Sequence, residues 1–240
     1  LGLGSVWSND ISGTGGLIKR GPGALTLTGT NTYSGQTRIE LGMLALRDGA
    51  SIRSDVTIGG PASPYTPSLY FMEGNNRVVG NVDSAGNLYV MNGNSSATIQ
   101  GNYVQQSTAR MIIALGIDAL HVTGSATLQG GRVLVNGIVP GYVPQDGTRQ
   151  DLIRADGGLS GQFDMAPAAT QNAGLALLQA DYGYDSHNAW LDLQQVSVTA
   201  AARVAGADAT AMAAAQRVEQ AFELLDGDVN LRSGAFAAGA

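Results

Sequence analysis

The chain has 240 residues, of which 44% are hydrophobic and 13% charged, while glycine alone fills 34 positions, a composition that favours short strands joined by turns over a helical bundle. The net charge is −6 and the basic residues are spread along the chain, with Lys19-Arg20 as the one adjacent pair, so no phosphate-tracking surface is expected and nucleic acid is not a predicted partner. The absence of cysteine excludes disulfides and thiolate metal sites.

Alternating apolar pairs separated by glycine and asparagine turns, such as Gly74 to Asn76, run from Leu25 to Val135. Each pair predicts a three-residue strand with one buried face. The pairs are Leu25/Leu27, Ile39/Leu41, Leu44/Leu46, Val56/Ile58, Leu69/Phe71, Leu88/Val90, Ala97/Ile99, Leu120/Val122, Ala126/Leu128 and Val133/Val135. Strands this short predict a solenoid in which two or three strands complete a coil of roughly 20 or more residues.

We therefore predict an all-β fold, a right-handed parallel β-helix, that ends in a capping β sub-domain and a terminal α-helix. The rival fold is a sandwich of antiparallel hairpins, because alternation alone does not report strand direction. The β-helix is favoured because tight Asn-Gly turns are absent between most pairs, with Asn92-Gly93 as the exception.

From about Gly101 onwards the apolar runs become longer and their side chains bulkier. Examples are Met111 to Leu115, Leu152/Ile153, Phe163 and Trp190/Leu191. An open end of a β-helix exposes unpaired backbone groups, so it requires a cover. The longer strands therefore predict a sub-domain that closes one end of the solenoid.

The last segment has the periodicity of an α-helix of about five turns. Asp208 or Thr210 can cap its start, and Gly227 can end it. We interpret its polar face, which includes Glu219, as an ordinary solvated surface. The apolar stripe consists of Met212, Ala215, Val218, Ala221, Phe222 and Leu225.

The N-terminal segment carries a specific motif. Residues 9–19 read Asn-Asp-Ile-Ser-Gly-Thr-Gly-Gly-Leu-Ile-Lys, residues 21–29 read Gly-Pro-Gly-Ala-Leu-Thr-Leu-Thr-Gly, residues 31–37 read Asn-Thr-Tyr-Ser-Gly-Gln-Thr, and residues 39–46 read Ile-Glu-Leu-Gly-Met-Leu-Ala-Leu. This stretch closely resembles the autotransporter-associated β-strand repeat. Its opening is similar to the boundary just after the catalytic domain of subtilisin-like autotransporter proteases.

Three later stretches resemble the autochaperone region at the C-terminal ends of autotransporter passengers. They are residues 101–106, residues 126–135 and residues 159–163, the last of which reads Leu-Ser-Gly-Gln-Phe, and Tyr142 belongs to the same pattern. The terminal helix is similar to the linker that leads into an outer-membrane barrel. In chain order, these features match the C-terminal end of a passenger.

The resemblance implies three domains. Residues 1–100 would form a β-helical stem with the repeat, residues 101–199 an autochaperone-like cap, and residues 200–240 a helical linker towards an outer-membrane β-barrel. The implied parent is a subtilisin-like serine protease whose catalytic triad precedes residue 1 and which processes surface or secreted proteins.

The resemblance also implies a location and partners. The passenger would be exported through the periplasm and outer membrane to the bacterial cell surface or the medium. Its expected partners are its own upstream passenger and its own C-terminal outer-membrane barrel. We expect a monomer, and contacts with surface or host proteins are left open.

For the chain itself we predict no catalytic, cofactor-binding or metal-binding residue, no cofactor and no small-molecule ligand. The nucleophile elbow, the phosphate loop and the paired-histidine zinc motif are absent from the sequence. His121 and His187 are interpreted as surface histidines. Strand alternation turns His121 away from Leu120 and Val122.

Two weaker site hypotheses involve carboxylates. Asp181, Asp185 and Asp192 could line a glycan cleft, because acid and base pairs drive glycoside hydrolysis. More often such residues simply keep a surface soluble. The run from Asp226 to Asn230 opens like a calcium loop, but Leu231 takes the place of the required glycine.

The favoured function is non-catalytic. The chain would be a stem and folding-initiation region in which the C-terminal part folds first and templates the rest. We therefore predict that residues 100–195 resist unfolding more than residues 10–90 do. The alternatives are a surface-binding adhesin and, with less support, a β-helical polysaccharide lyase or hydrolase.

Overall fold

The computed structural model describes residues 4–60, 65–91, 96–142, 147–164, 168–169, 178–195 and 197–227. Within this part of the chain, three sheets of mostly parallel strands wind around one core as a β-solenoid of about 6 turns. The predicted parallel β-helix is confirmed. The antiparallel sandwich is not found, because successive strands from β1 to β21 lie in different sheets and pair in parallel with strands of the neighbouring coils.

The strands are short in the N-terminal coils and lengthen towards the C-terminus. The first sheet contains, in spatial order, β1 (Ser5–Trp7), β3 (Ala24–Leu27), β6 (Met43–Leu46), β9 (Ser68–Phe71), β12 (Asn87–Val90), β15 (Arg110–Leu115), β18 (Arg132–Ile138) and β21 (Ala168–Ala169). The second sheet contains β2 (Leu17–Lys19), β5 (Thr37–Ile39), β8 (Val56–Ile58), β11 (Val82–Ser84), β14 (Tyr103–Gln105), β17 (Ala126–Gln129) and β20 (Leu159–Gln162). The third sheet contains β4 (Thr30–Asn31), β7 (Ser51–Ile52), β10 (Asn76–Val78), β13 (Ala97–Ile99), β16 (Leu120–Val122), β19 (Thr148–Ala155), β23 (Asn188–Gln195) and β22 (Leu178–Tyr184).

Inward-facing side chains of the first sheet stack into two apolar columns, because the parallel register places equivalent residues of successive coils side by side. One column is Leu25, Leu44, Leu69, Leu88, Met111 and Val133, and the other is Leu27, Leu46, Phe71, Val90, Ile113 and Val135. Almost all of these side chains are fully buried. Each contributes about 1.5–3 kcal/mol by leaving water, so the columns form the core of the stack.

One predicted pair is wrong. β5 ends at Ile39, and its inward residues are Thr37 and Ile39 rather than Ile39 and Leu41. All the other predicted pairs lie within strands. Thr37 is tolerated inside because its hydroxyl lies 2.6 Å from the hydroxyls of Tyr33 and Ser54.

The sequence does not predict the strands whose inward residues are polar. Asn76, an asparagine of the kind that the sequence pattern assigns to turns, begins β10 and is fully buried. Its Oδ1 accepts hydrogen bonds from the N–H groups of Gly49 and Ala50, and its Nδ2 donates to the carbonyl groups of Met72, Glu73 and Gly74. The buried amide therefore joins two coils at a corner of the solenoid.

The C-terminal strands differ from the earlier ones in direction as well as in length. β19 pairs with β16 in parallel, but it pairs with β23 antiparallel, and β22 adds a further antiparallel strand. Within the predicted sub-domain, the hairpin of β22 and β23 thus lies on β19, the last parallel strand of the third sheet.

Two helices follow the hairpin: α1 (Val198–Val204), which the sequence does not predict, and α2 (Ala209–Gly227), which confirms the predicted helix. Asp208 caps α2 as predicted, since its Oδ1 accepts a hydrogen bond of 2.8 Å from the N–H of Ala211. The interpretation of Glu219 as merely solvated is wrong, because its carboxylate accepts a hydrogen bond from the N–H of Thr199 and holds the helices together. Neither helix, within the described residues, combines the length and apolar character needed to cross a bilayer.

Candidate functional site

The candidate functional site is the C-terminal end of the parallel stack. The hairpin formed by β22 and β23 covers this end. Ala189, Leu191 and Leu193 of β23 point inward and are buried. On the partner strand, Tyr182 and Tyr184 pack against the same core. The hairpin therefore extends the third sheet and also closes the interior of the solenoid. We call this hairpin, with Phe163 beneath it, the cap.

Three aromatic rings form the inner surface of the cap. The ring of Phe163, which follows β20, stacks on that of Tyr182 with 4.8 Å between centroids. The ring of Tyr184 lies 6.4 Å from Phe163 and 6.1 Å from Tyr182. Aromatic pairs at these separations add stabilisation beyond the area they bury. The rings come from two chain segments, so they fix the hairpin onto the last coil.

The two tyrosine hydroxyls satisfy backbone groups at the end of the coils. The hydroxyl of Tyr182 accepts a hydrogen bond of 2.9 Å from the N–H of Val133, and that of Tyr184 accepts one of 3.1 Å from the N–H of Phe163. Burial raises the pKa of both Tyr182 and Tyr184, so both hydroxyls stay neutral. A solenoid end needs partners of this kind, since its last strands lack a following coil.

The outer surface of the hairpin is held by Trp190. Its ring lies against Gly183 on the neighbouring strand, where a Cβ atom would come within 2.2 Å of the indole. The guanidinium of Arg149 sits 3.7 Å from the centre of the ring, and the indole N–H donates to Asp192 over 2.9 Å. Glycine opposite tryptophan lets the ring lie flat across the strand.

The turn of the hairpin docks on the last coil through its backbone. The N–H of Leu159 donates to the carbonyl of Ser186 over 2.7 Å, and the N–H of Ala155 donates to that of His187 over 2.8 Å. Asp185 shapes the turn. Its Oδ1 accepts hydrogen bonds from the backbone N–H groups of His187 and Asn188, each at 2.7 Å, and from Nδ2 of Asn188. These bonds, that from His187 foremost, lower the pKa of Asp185.

His121 points outward between two buried neighbours, as predicted. Its Nε2 lies 2.8 Å from Oδ2 of Asp156, and this hydrogen bond is the main cause that lowers the pKa of Asp156. The contact joins β16 to the turn after β19. The geometry assigns His121 a structural hydrogen bond at the side of the last coils.

The proposed glycan cleft does not assemble from the three carboxylates. Asp181 and Asp192 are register partners on the hairpin, whereas Asp185 belongs to its turn. A general acid for glycoside hydrolysis needs a raised pKa, and that of Asp185 is lowered. The calcium-loop hypothesis falls mostly on residues 228–240, outside the described part of the chain. No group of three or more potential metal ligands occurs among the described residues.

Lys19 is the residue of the N-terminal repeat that sequence reasoning overlooks. It occupies an inward position of the second sheet, in register with Ile39. Its Nζ donates hydrogen bonds to the carbonyl groups of Gly21 and Leu41, at 2.8 and 3.0 Å, and burial lowers its pKa. The ammonium group thereby ties the Gly-Pro-Gly turn to the next coil.

Comparison with known protein families gives these features a context. Residues 17–46 match the family model described as the passenger-associated-transport-repeat. The chain carries an autotransporter passenger repeat. The matched segment of this passenger repeat runs from β2 to β6 and includes Lys19, so the resemblance drawn from the N-terminal motif is confirmed.

Curated relatives of the repeat-bearing chain include proteases and an adhesin. An extracellular serine protease of Serratia marcescens is 58% identical over 52 residues, which is 22% of this chain and 5% of that protein. The neisserial autotransporter lipoprotein NalP of Neisseria meningitidis is 32% identical over 154 residues, which is 61% of this chain and 13% of NalP. The adhesin BmaC autotransporter of Brucella suis is 29% identical over 182 residues, which is 70% of this chain and 5% of BmaC.

The chain spans between 5% and 13% of the length of these relatives. Together with the passenger repeat and the solenoid fold, they support a passenger-domain role for the chain. The relatives are an extracellular protease and autotransporters, which confirms the expected class of exported, surface or secreted proteins.

Proposed function

We propose that this chain is the non-catalytic stem and folding-initiation region of an autotransporter passenger. The observation that carries the proposal is the cap. The longest strands, the aromatic lid formed by Phe163, Tyr182 and Tyr184, and the tyrosine hydrogen bonds all lie at the C-terminal end of the stack.

Solenoid folding explains why an end structure of this kind matters. Each coil gains its stability by stacking on a neighbour, so the first coil to form lacks half of its contacts and is the costly one. The cap supplies contacts in place of the missing neighbouring coil. Its antiparallel hairpin closes only a short loop, so its two strands can pair early in folding. Once it has formed on β19, the next coil has a surface on which to stack.

The stem itself suits propagation from the cap. Successive coils repeat the same inward columns, with Leu44 beside Leu69 and Leu69 beside Leu88. A new coil therefore meets apolar partners in register along its length. Folding that advances in this way outside the cell would oppose backsliding of the chain, which is how the cap would support secretion.

The parent protein proposed for this stem is a subtilisin-like serine protease that processes surface or secreted proteins. The Serratia relatives, which are extracellular serine proteases, support this assignment, and the catalytic triad would lie outside these 240 residues. Residues 1–100 then act as stem, residues 101–199 as cap region and residues 200–240 as helical linker. The partners proposed are the upstream passenger and the parent's own outer-membrane barrel, with a monomeric chain.

An adhesin is the second candidate function, because the similarity to the Brucella adhesin covers 70% of this chain. The two functions differ in what the chain alone can do. Saturable binding of the labelled chain to cultured host cells would favour an adhesin, whereas a stem and folding seed needs no such binding.

Refolding kinetics of the full chain test the folding role. Leu191→Ala in the cap and Leu44→Ala in an N-terminal coil both remove a fully buried leucine, and each should cost about 2–5 kcal/mol. We expect Leu191→Ala to slow refolding and Leu44→Ala mainly to speed unfolding. The proposal fails if Leu44→Ala slows refolding as much as Leu191→Ala does.

Hydrogen exchange of the unmodified chain provides an independent measurement. Amides of residues 100–195 should be protected to a higher free energy of opening than amides of residues 10–90, because the cap region opens only with the whole stack. Equal protection of residues 100–195 and residues 10–90 would contradict folding that begins at the C-terminal cap.

A further inference from the structure

The hairpin of the cap ends the third sheet with an edge strand. β22 is the terminal strand of that sheet, and it pairs on one side with β23. The N–H of Asp185 donates to the carbonyl of Asn188 over 3.0 Å, and this bond sets the alternation of the antiparallel pairing. Gln179, Asp181 and Gly183 therefore exchange backbone hydrogen bonds with β23. The backbone groups of the alternate residues point away from β23, and these residues are Ala180, Tyr182 and Tyr184.

The outward backbone groups of β22 are unpaired within the described part of the chain. The N–H groups of Ala180, Tyr182 and Tyr184 have no backbone hydrogen-bond partner among the described residues. An unpaired strand edge is a template on which another extended chain can add. The sequence of β22 also lacks proline and lysine, two residues with which natural proteins block such edges. We call the outward backbone groups of these three residues the β22 edge.

The side chains of β22 define what an added strand would contact. Those of Ala180, Tyr182 and Tyr184 are partly buried against the core, so an added strand would place apolar side chains beside them. Asp181 points to the opposite face and is exposed. One face of the added strand would therefore be apolar, and the other would lie beside a carboxylate.

The carboxylate of Asp181 selects the charge of the partner. Asp181 is the register partner of Asp192, so two carboxylates stand side by side on the outer face of the hairpin. Asp192 accepts a hydrogen bond from the indole of Trp190 and has Arg149 as its register partner on β19, whereas Asp181 forms no hydrogen bond or ion pair with a described residue. A basic side chain on an added strand would offset the repulsion, and the net charge of −6 would attract it.

We propose that the β22 edge binds an extended polypeptide segment in which apolar residues alternate with basic ones. The segment adds to the third sheet as a further strand, with its apolar side chains beside Tyr182 and Tyr184 and a basic side chain beside Asp181. Backbone hydrogen bonds supply the affinity, and the alternation supplies the specificity. A second copy of the chain fits less well, because the one charge on its own β22 is that of Asp181. The proposal does not rest on the folding role of the cap.

Amide exchange followed by NMR on the full chain tests how the partner binds. The probe is a short synthetic peptide of alternating valine and lysine. Saturating peptide should slow the exchange of the amides of Ala180, Tyr182 and Tyr184 at least about tenfold, because each N–H gains or adjoins a new backbone hydrogen bond. The amides of Asp181 and Gly183, which already bond to β23, should change less than about twofold.

A proline variant tests the backbone contact, with affinity measured by fluorescence anisotropy of the labelled peptide. Ala180→Pro removes one N–H of the β22 edge and leaves the bonds between β22 and β23 intact, since proline is tolerated on edge strands. It should weaken peptide binding at least about tenfold. Ala180→Ser keeps the N–H group and should change the affinity less than about twofold.

A charge reversal tests the basic side chain of the partner. Asp181→Lys should weaken peptide binding about fivefold, because an attraction becomes a repulsion. Asp118→Lys, which reverses an exposed carboxylate between β15 and β16, is the matched control and should change the affinity less than about twofold.

Four results would overturn the proposal. One is the absence of saturable binding, and another is binding without slower exchange at the β22 edge. The third is an equal loss of affinity in Asp181→Lys and Asp118→Lys, which indicates general charge attraction. The fourth is slower exchange of the same amides at high protein concentration without peptide, which assigns the edge to a second copy of the chain. Circular dichroism verifies that each variant keeps the fold, and the exchange pattern of the unmodified chain decides the question if Ala180→Pro does not.

Discussion

The hydroxyl of Tyr182 accepts a hydrogen bond from the backbone N–H of Val133, 49 residues earlier in the chain, at 2.9 Å. Val133 lies in the first sheet and Tyr182 in the third, so the bond crosses the open end of the solenoid. The two residues connect the last coil of the stack to the hairpin that covers it. This contact is the most direct evidence that the hairpin terminates the solenoid rather than merely extending one sheet.

Tyr182→Phe tests this contact without removing the ring. The N–H of Val133 would lose its acceptor in a part-buried position, which should lower the free energy of unfolding by about 1–2 kcal/mol in urea titrations. Tyr89→Phe, which removes a hydroxyl on the outer face of the first sheet, is the control and should stay within about 0.5 kcal/mol of the parent. A loss equal to that of the control would mean that the bond contributes nothing to the cap.

Gly183→Ala tests the outer side of the cap. The new methyl group would meet the indole of Trp190, so the ring must move away from Arg149 and Asp192. We expect a loss of about 1–3 kcal/mol and a red shift of Trp190 emission, read in a Trp7→Phe background.

Gly15→Ala is the matched control for this substitution, because nothing lies within 4 Å of the Cβ position there. It should leave both the stability and the emission unchanged. Retention of the parent spectrum in Gly183→Ala would show that the hairpin can relax without losing the tryptophan contact.

The sequence pattern predicts the strands whose inward residues are apolar, such as β9 with Leu69 and Phe71. It fails at Asn76, because a buried asparagine that bonds five backbone groups reads, in one dimension, as a turn residue. The information that separates the two cases is the neighbouring coil, which supplies the bonding partners.

The existence of a cap could be predicted, whereas its construction could not. Bulky residues such as Phe163 and Trp190 indicate longer strands near the C-terminus. Strand direction is invisible to alternation, so the antiparallel hairpin could not be told from a further coil. The bond between Tyr182 and Val133 depends on how three sheets end in space, and no local pattern encodes it.

Asn76→Ala tests the buried amide as a coil-to-coil joint. The substitution leaves several buried backbone groups of two coils without hydrogen-bond partners. It should lower the free energy of unfolding by about 3 kcal/mol in denaturant titrations. Asn76→Asp should be at least as damaging, because a carboxylate would face three carbonyl groups. The neighbouring Asn75→Ala, an exposed position, should cost less than about 1 kcal/mol. Comparable losses at the two positions would assign the effect to the turn rather than to the buried amide.

The turn of the cap should make stability depend on pH in the acid range. The pKa of Asp185 is lowered in the folded chain, chiefly by the backbone N–H of His187, so the folded state binds its proton less readily than the unfolded state does. The stabilisation is therefore complete above the unfolded aspartate pKa of about 3.9 and is lost as the pH falls through the lower folded value.

Urea unfolding of the parent chain and of Asp185→Asn between neutral and strongly acid pH measures this linkage. Asp185→Asn should be less stable at neutral pH, and its curve should meet that of the parent once the carboxylate is protonated. Asn188→Ala removes the side-chain donor to Asp185, so it should lose part of the same pH dependence while leaving the backbone bonds in place. Parallel curves for the parent and Asp185→Asn at every pH would show that the folded and unfolded chains bind this proton equally, and the turn would then owe its stability to the backbone alone.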